Sequence, residues 1–230
     1  MQYNIIKNPM GMLEVSMNKG EEITAEAGAL VYMKGDIEIK TRMRNKGFLK
    51  SVKVAMLGGE TFFVNDFVAN EDNCILGLTG PPIGDILKIT LDEEYIIQSG
   101  AYIASSPGVD LDTKWQGFTK GLFGTELFML KASGKGDVFV NSYGSIIEKT
   151  LEHGEKMLLD NYHLVALTAN SEYNVVKVGG LKTTILGGEG LATDITGPAK
   201  VYFQTKNLKE LIDLLGIKHR AETGSSFKFP

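Results

Sequence analysis

Apolar residues alternate with polar ones in short runs along this chain: Leu13, Val15 and Met17; Ile37 and Ile39; Leu87, Ile89 and Leu91; Val109 and Leu111. A period of two turns one face of a strand to a core and the other to water, so these runs predict half-buried β-strands. Glycine, present 27 times, punctuates the runs at intervals of about ten to twelve residues, the rhythm of short strands in a sandwich or barrel. One stretch has a helical period instead. Asn207 is a predicted N-cap with Glu210 three residues on, Leu208, Leu211, Ile212 and Leu215 make an apolar stripe, and Gly216 ends it. The tail after it, 218–230, has no packing pattern and is expected to be mobile or to dock on a neighbour.

The same landmarks recur three times in the same order. Gly11, Gly84 and Gly144 each open an apolar run that closes at Met17, Leu91 and Leu151, and each run is followed by an acidic turn: Glu21 and Glu22; Asp92, Glu93 and Glu94; Glu152 and Glu155. A second landmark begins at Glu26, Gln98 and Asp160, and a third ends at Glu60, Glu126 and Glu189. Internal repetition at a period of roughly 65 residues signals units that cannot bury their apolar faces alone and must lean on one another. The expected limits are 1–75, 76–136 and 137–205, then the helix at 206–217 and the tail at 218–230. No hydrophilic linker separates the repeats, so they are expected to form one all-β body with a single C-terminal helix.

Composition narrows the function classes. With 43% apolar and 23% charged residues the chain is globular in type. No stretch approaches the roughly 20 apolar residues of a membrane helix, and the first residues lack the regions of a signal peptide, so a soluble, cytoplasmic protein is expected. Cys74 stands alone, which excludes an intrachain disulfide and suits a reducing compartment. A net charge of −4 offers no global attraction to nucleic acid.

The glycine motifs around 46–50 and 57–63, Ser105 to Gly108, 120–124, and 187–191 with Thr196 to Pro198 resemble one family over nearly the whole chain. It is the "altered inheritance of mitochondria" family of uncharacterised proteins. The resemblance implies a fold similar to the tryptophan RNA-binding attenuator protein, with three such units per chain in a shortened double-stranded β-helix or sandwich. It also implies homotrimers whose nine units form a pseudo-ninefold ring. No catalytic residue follows from it.

No constellation of residues marks a reaction. His153, His163 and His219 fall in a predicted turn, a strand and the tail, without the spaced histidine and carboxylate cluster of a metal enzyme, so neither metal nor cofactor is expected. No Gly-x-Ser-x-Gly elbow occurs, and Cys74 reads as a structural thiol. Asp36 with Glu38, Asp110 with Asp112, and Glu172 with Asn174 appear at corresponding places. Their alternation with apolar neighbours makes them the wet face of a strand. Gly58 with Gly59, Gly187 with Gly188, and Gly134 with Gly136 lack the strand and helix setting of a phosphate cradle and read as tight turns.

The connection before the third landmark pairs an apolar residue with a lysine in each copy: Phe48, Leu49 and Lys50; Phe118 and Lys120; Leu181 and Lys182. Copy one is the most basic there, with Lys34, Lys40, Arg42, Arg44, Lys46, Lys50 and Lys53 against Asp36 and Glu38. Set on one rim by symmetry, these tips would meet a membrane surface or a protein partner, with Lys40, Arg42, Arg44, Lys46 and Lys53 available to a polyanion. The reading is therefore a non-enzymatic, ring-forming scaffold or binding protein. RNA or other polyanion binding is the alternative, and a hydrolase or isomerase with a pocket between repeats is a second one.

Overall fold

The computed structural model describes residues 1–7, 10–43, 63–112, 129–177 and 191–216. Apart from an opening strand β1 (Gln2–Lys7), the strands fall into three groups of six. The first is β2 (Gly11–Met17), β3 (Glu22–Glu26), β4 (Leu30–Lys34), β5 (Ile37–Met43), β6 (Phe63–Ala69) and β7 (Cys74–Leu78). The second is β8 (Ile86–Thr90), β9 (Tyr95–Gln98), β10 (Tyr102–Ser105), β11 (Val109–Asp112), β12 (Met129–Gly134) and β13 (Asp137–Asn141). The third is β14 (Ile146–Leu151), β15 (Lys156–Asp160), β16 (Leu164–Thr168), β17 (Glu172–Lys177), β18 (Leu191–Thr196) and β19 (Ala199–Gln204). The helix α1 (Leu208–Leu214) follows.

Every group is wired alike. Its first strand pairs with its sixth, the second with the fifth, the third with the sixth and the fourth with the fifth, all antiparallel. The third strand bulges at the same point each time, between Leu30 and Tyr32, Tyr102 and Ala104, and Leu164 and Ala166. Neighbouring groups are joined by one further rule: the second strand of one pairs with the third strand of the next, β3 with β10 and β9 with β16. By this pairing the groups run 11–78, 86–141 and 146–204. The limit expected near 75 falls inside β7, and the one near 136 separates β12 from β13, because the landmarks mark where groups begin and not where they end.

Four sheets result: β1-β2-β7-β4, β5-β6-β3-β10-β13-β8, β11-β12-β9-β16-β19-β14 and β15-β18-β17. Three apolar cores lie between them. The first joins Leu13, Val15 and Leu76 to Ile23, Phe67 and Phe139. The second packs Tyr102, Val138 and Val140 on Tyr95, Leu130 and Val165. The third sets Ile96, Leu164 and Val201 against Leu159 and Ile195. The two inner sheets are thus covered on both faces, and their central strands β9, β10 and β16 are buried at every residue. Such strands have no wet face and read as unbroken apolar runs.

The expected alternation appears where one face is wet: β2 buries Leu13, Val15 and Met17, and β11 buries Val109 and Leu111 while exposing Asp110 and Asp112. Asn207 caps α1 through its side chain, which accepts from the Glu210 amide at 2.9 Å. Register corrects one alignment. Glu38 stands level with Asp110 and Glu172, so the position two residues on reads Lys40, Asp112 and Asn174, and paired carboxylates occur in the second group alone.

Candidate assembly surface

Among the described residues, the rule that joins the groups leaves two strands with one side unpaired. β4 is the third strand of the first group and β15 the second strand of the last, so each ends its sheet on the side where an inner group finds its neighbour. Their side chains register the loss. Val31 is 50% exposed, Met33 39% and Leu158 56%, whereas Ile103, Ser105 and Ile96, the residues at those places in the second group, are all buried. All five residues of β4 are exposed; all residues of β10 and β16 are buried.

Composition separates these two edges from those formed by the fourth strands. The fourth strands β5, β11 and β17 also end sheets, and they carry Glu38 and Lys40, Asp110 and Asp112, and Glu172 and Lys177, the charges that keep an open edge from pairing with another chain. β4 instead presents Leu30, Val31, Tyr32 and Met33 in succession, and on β15 Leu158 stands exposed between half-buried Met157 and buried Leu159. These are sequences of doubly covered strands at the two ends of the molecule. Tyr32 is held in place by donating its hydroxyl to the Glu14 carboxylate, and that bond first, burial second, holds its phenol above the usual range.

Most residues singled out from sequence lie elsewhere. Phe48, Leu49, Lys50, Phe118, Lys120, Leu181, Lys182, Arg44, Lys46 and Lys53 fall outside the described residues, as does His219. Lys40 sits on exposed β5, with its Nζ 3.1 Å from Glu38 Oε2, and Arg42 follows on the same strand in register with Val64. The structure does not bring Lys40 to β4 or β15. His163 closes a 3-10 turn instead of lying in a strand, and His153 is exposed in the turn before β15. Cys74 is buried with its Sγ 3.4 Å from the carbonyl oxygens of Asp36 and Glu71. Among the described residues no group of histidine, cysteine or acidic side chains is placed to hold a metal ion, and no helix is long and apolar enough to cross a membrane.

Sequence reasoning missed the two edge strands. The signal that finds them is the unbroken apolar run at residues 30–33 and 157–159, level by register with the runs of β10 and β9.

Comparison with known proteins agrees with the glycine motifs. A family model described as mitochondrial biogenesis AIM24 matches residues 3–206. An uncharacterised protein of Streptococcus pyogenes serotype M6 is 27% identical over 212 residues, covering 89% of this chain and 85% of its own. A Streptococcus pyogenes protein of known crystal structure superposes with a TM-score of 0.76 at 25% identity, over 94% of this chain and 98% of that one.

Proposed function

The chain belongs to the mitochondrial biogenesis AIM24 family, and from that premise we propose that it is a non-enzymatic, ring-forming scaffold whose copies join by pairing β4 of one with β15 of the next. The observation that carries this reading is the exposed apolar run on β4 together with exposed Leu158 on β15. Inner groups meet with Ala166 opposite Ile97, Leu167 opposite Ile96 and Thr168 opposite Tyr95. The same register between copies sets Tyr32 opposite Leu159, Met33 opposite Leu158 and Lys34 opposite Met157. The contact joins unlike surfaces, so it closes into a ring when the rotation per copy permits. Three copies would supply nine groups, the attenuator-like ring that the family resemblance implies.

Such a ring would have two unlike faces. By the strand directions, β5, β11 and β17 all finish at one end of the body, at Met43, Asp112 and Lys177, and the sequence continues from there into 44–62, 113–128 and 178–190. The first of them carries Arg44, Lys46, Lys50 and Lys53 against Glu60, and the three include Phe48, Phe118 and Leu181. The turns at the opposite end carry Glu21, Glu71, Asp72, Asp92, Glu93, Glu94, Glu152 and Glu155 against Lys19 and Lys135. This separation of charge supports attachment of the basic end to an anionic membrane surface.

Light scattering and native mass measurement of the purified chain test the assembly, with three times 25.1 kDa as the expected particle. A monomer at micromolar concentration would refute it. Co-sedimentation with phosphatidylserine vesicles, lost when Phe48 and Phe118 are changed to Ser, tests the membrane face; retention of single-stranded RNA without vesicle binding would replace it.

A further inference from the structure

Independently of assembly, the turn between β15 and β16 wires a titratable ring into the cap of α1. His163 ends the turn Asn161–His163. Its Nδ1 lies 2.7 Å from the Gln204 carbonyl oxygen and its Nε2 lies 2.9 Å from Nδ2 of Asn207. A carbonyl oxygen only accepts, so Nδ1 carries the proton. An amide nitrogen only donates, so Nε2 is the acceptor. The Asn207 amide cannot simply be read the other way round, because its Oδ1 already accepts from the Glu210 amide at 2.9 Å. One neutral tautomer satisfies all three contacts, and an imidazolium does not.

We propose that His163 is a pH-sensitive latch on α1. A second proton, at Nε2, sets N–H against N–H₂. Asn207 relieves the clash by turning its amide, which gives Oδ1 to the imidazolium and takes it from Glu210. The helix then loses its cap. It has seven residues and buries none of them, far short of the length at which a helix persists alone in water, so the cap is a main part of what holds it.

The charged surroundings leave Asn207 as the responding group. On the ring's own segment, Asp160 accepts from the Tyr162 amide at 2.8 Å. On the stretch from β19 into α1 stand Lys206, Lys209 and Glu210, with Lys209 paired to Asp213 at 2.7 Å. On β18, which packs against the turn, the ionisable group is Asp194.

Hydrogen exchange of the amides at 208–216, corrected for intrinsic rate and followed in the full chain from about pH 8 to about pH 5, tests the latch. Wild type is expected to lose about fivefold in protection, the usual worth of a cap. His163→Gln, which does not titrate, is expected to stay level. Asn207→Asp, with one oxygen for Glu210 and one for the imidazolium, is expected to gain protection on acidification. Unchanged wild-type protection, a fall in His163→Gln equal to wild type, or no gain in Asn207→Asp would each overturn the proposal.

Discussion

Tyr32 rests on Gly77: a Cβ at residue 77 would overlap Cδ1 and Cε1 of the ring, whose hydroxyl reaches past it to Glu14. The three residues form one row across β4, β7 and β2. In the other groups the same row reverses its sizes, with Ala104 beside Phe139 and Ala166 beside Tyr202. The first group therefore places its bulk on the outermost strand, where an approaching copy would meet it.

Gly77→Ala should push the Tyr32 ring outward. The ring is partly exposed and can yield, so the expected cost is modest, about 1 kcal/mol. Adding Tyr32→Ala to Gly77→Phe restores the size order of the other groups and should recover most of the loss. Chemical denaturation of the variants measures both.

Met33→Glu and Leu158→Lys should each weaken assembly, since each places a charge in an apolar seam. Together they set opposite charges directly across from one another, an arrangement that favours pairing by about 0.2–1 kcal/mol. The double variant should therefore assemble better than either single one in sedimentation velocity. Recovery absent from the double variant would argue against this register.

Gln204 and Asn141 occupy the same place in successive groups and should respond oppositely to leucine. Gln204 Oε1 accepts from the Tyr143 amide at 2.9 Å, and its Nε2 donates to the Tyr162 carbonyl at 2.8 Å. One group earlier the connection between sixth and first strands is longer, and among the described residues the buried Asn141 Oδ1 has no partner. Asn141→Leu gives up one bond, Nδ2 to the Asp85 carbonyl, which keeps the Ser142 amide at 3.1 Å. Its cost should stay below about 1 kcal/mol, against about 2–4 kcal/mol for Gln204→Leu, which leaves two backbone groups unpaired. Denaturation midpoints decide between them.

Strands with one wet face were legible because alternation exposes them: Val15 and Leu111 need no partner to be recognised. The cap at Asn207 was legible because its chemistry is local. Residues 30–33 and 157–159 have no polar face, so period-two reading passes over them, and the exposure of β4 and of Leu158 depends on which neighbour is missing. That is a property of the whole arrangement. The acids of the first group were aligned by their spacing, which puts Asp36 level with Asp110; pairing shows Asp36 level with Gly108 in the turn before β11.

Stability should also depend on pH through Asp92. Lys200 donates to it at 2.6 Å, and that bond first lowers the Asp92 pKa. A depressed carboxylate stabilises the fold above its unfolded value of about 3.9, and the contribution disappears as pH falls through the folded value. Lys200 is raised by the same bond, so its share persists at neutral pH and fades only at strongly alkaline pH. The pair is exposed, and its worth is at most about 1 kcal/mol after screening. Asp92→Asn should lower the denaturation midpoint at pH 7, and the difference should shrink as the pH falls through the folded value.

Cysteine cross-linking tests the pairing of β4 with β15 most directly. In a chain carrying both Met33→Cys and Leu158→Cys, residues opposite one another across the seam are close enough for a disulfide, while native Cys74 is buried and stays out of reach. Mild oxidation should give covalent dimers and trimers from the double variant, and only monomers from either single variant or from Met33→Cys with Asp160→Cys, two residues out of register. Assembled protein that forms no such bond, or that cross-links equally well through residue 160, would contradict the account.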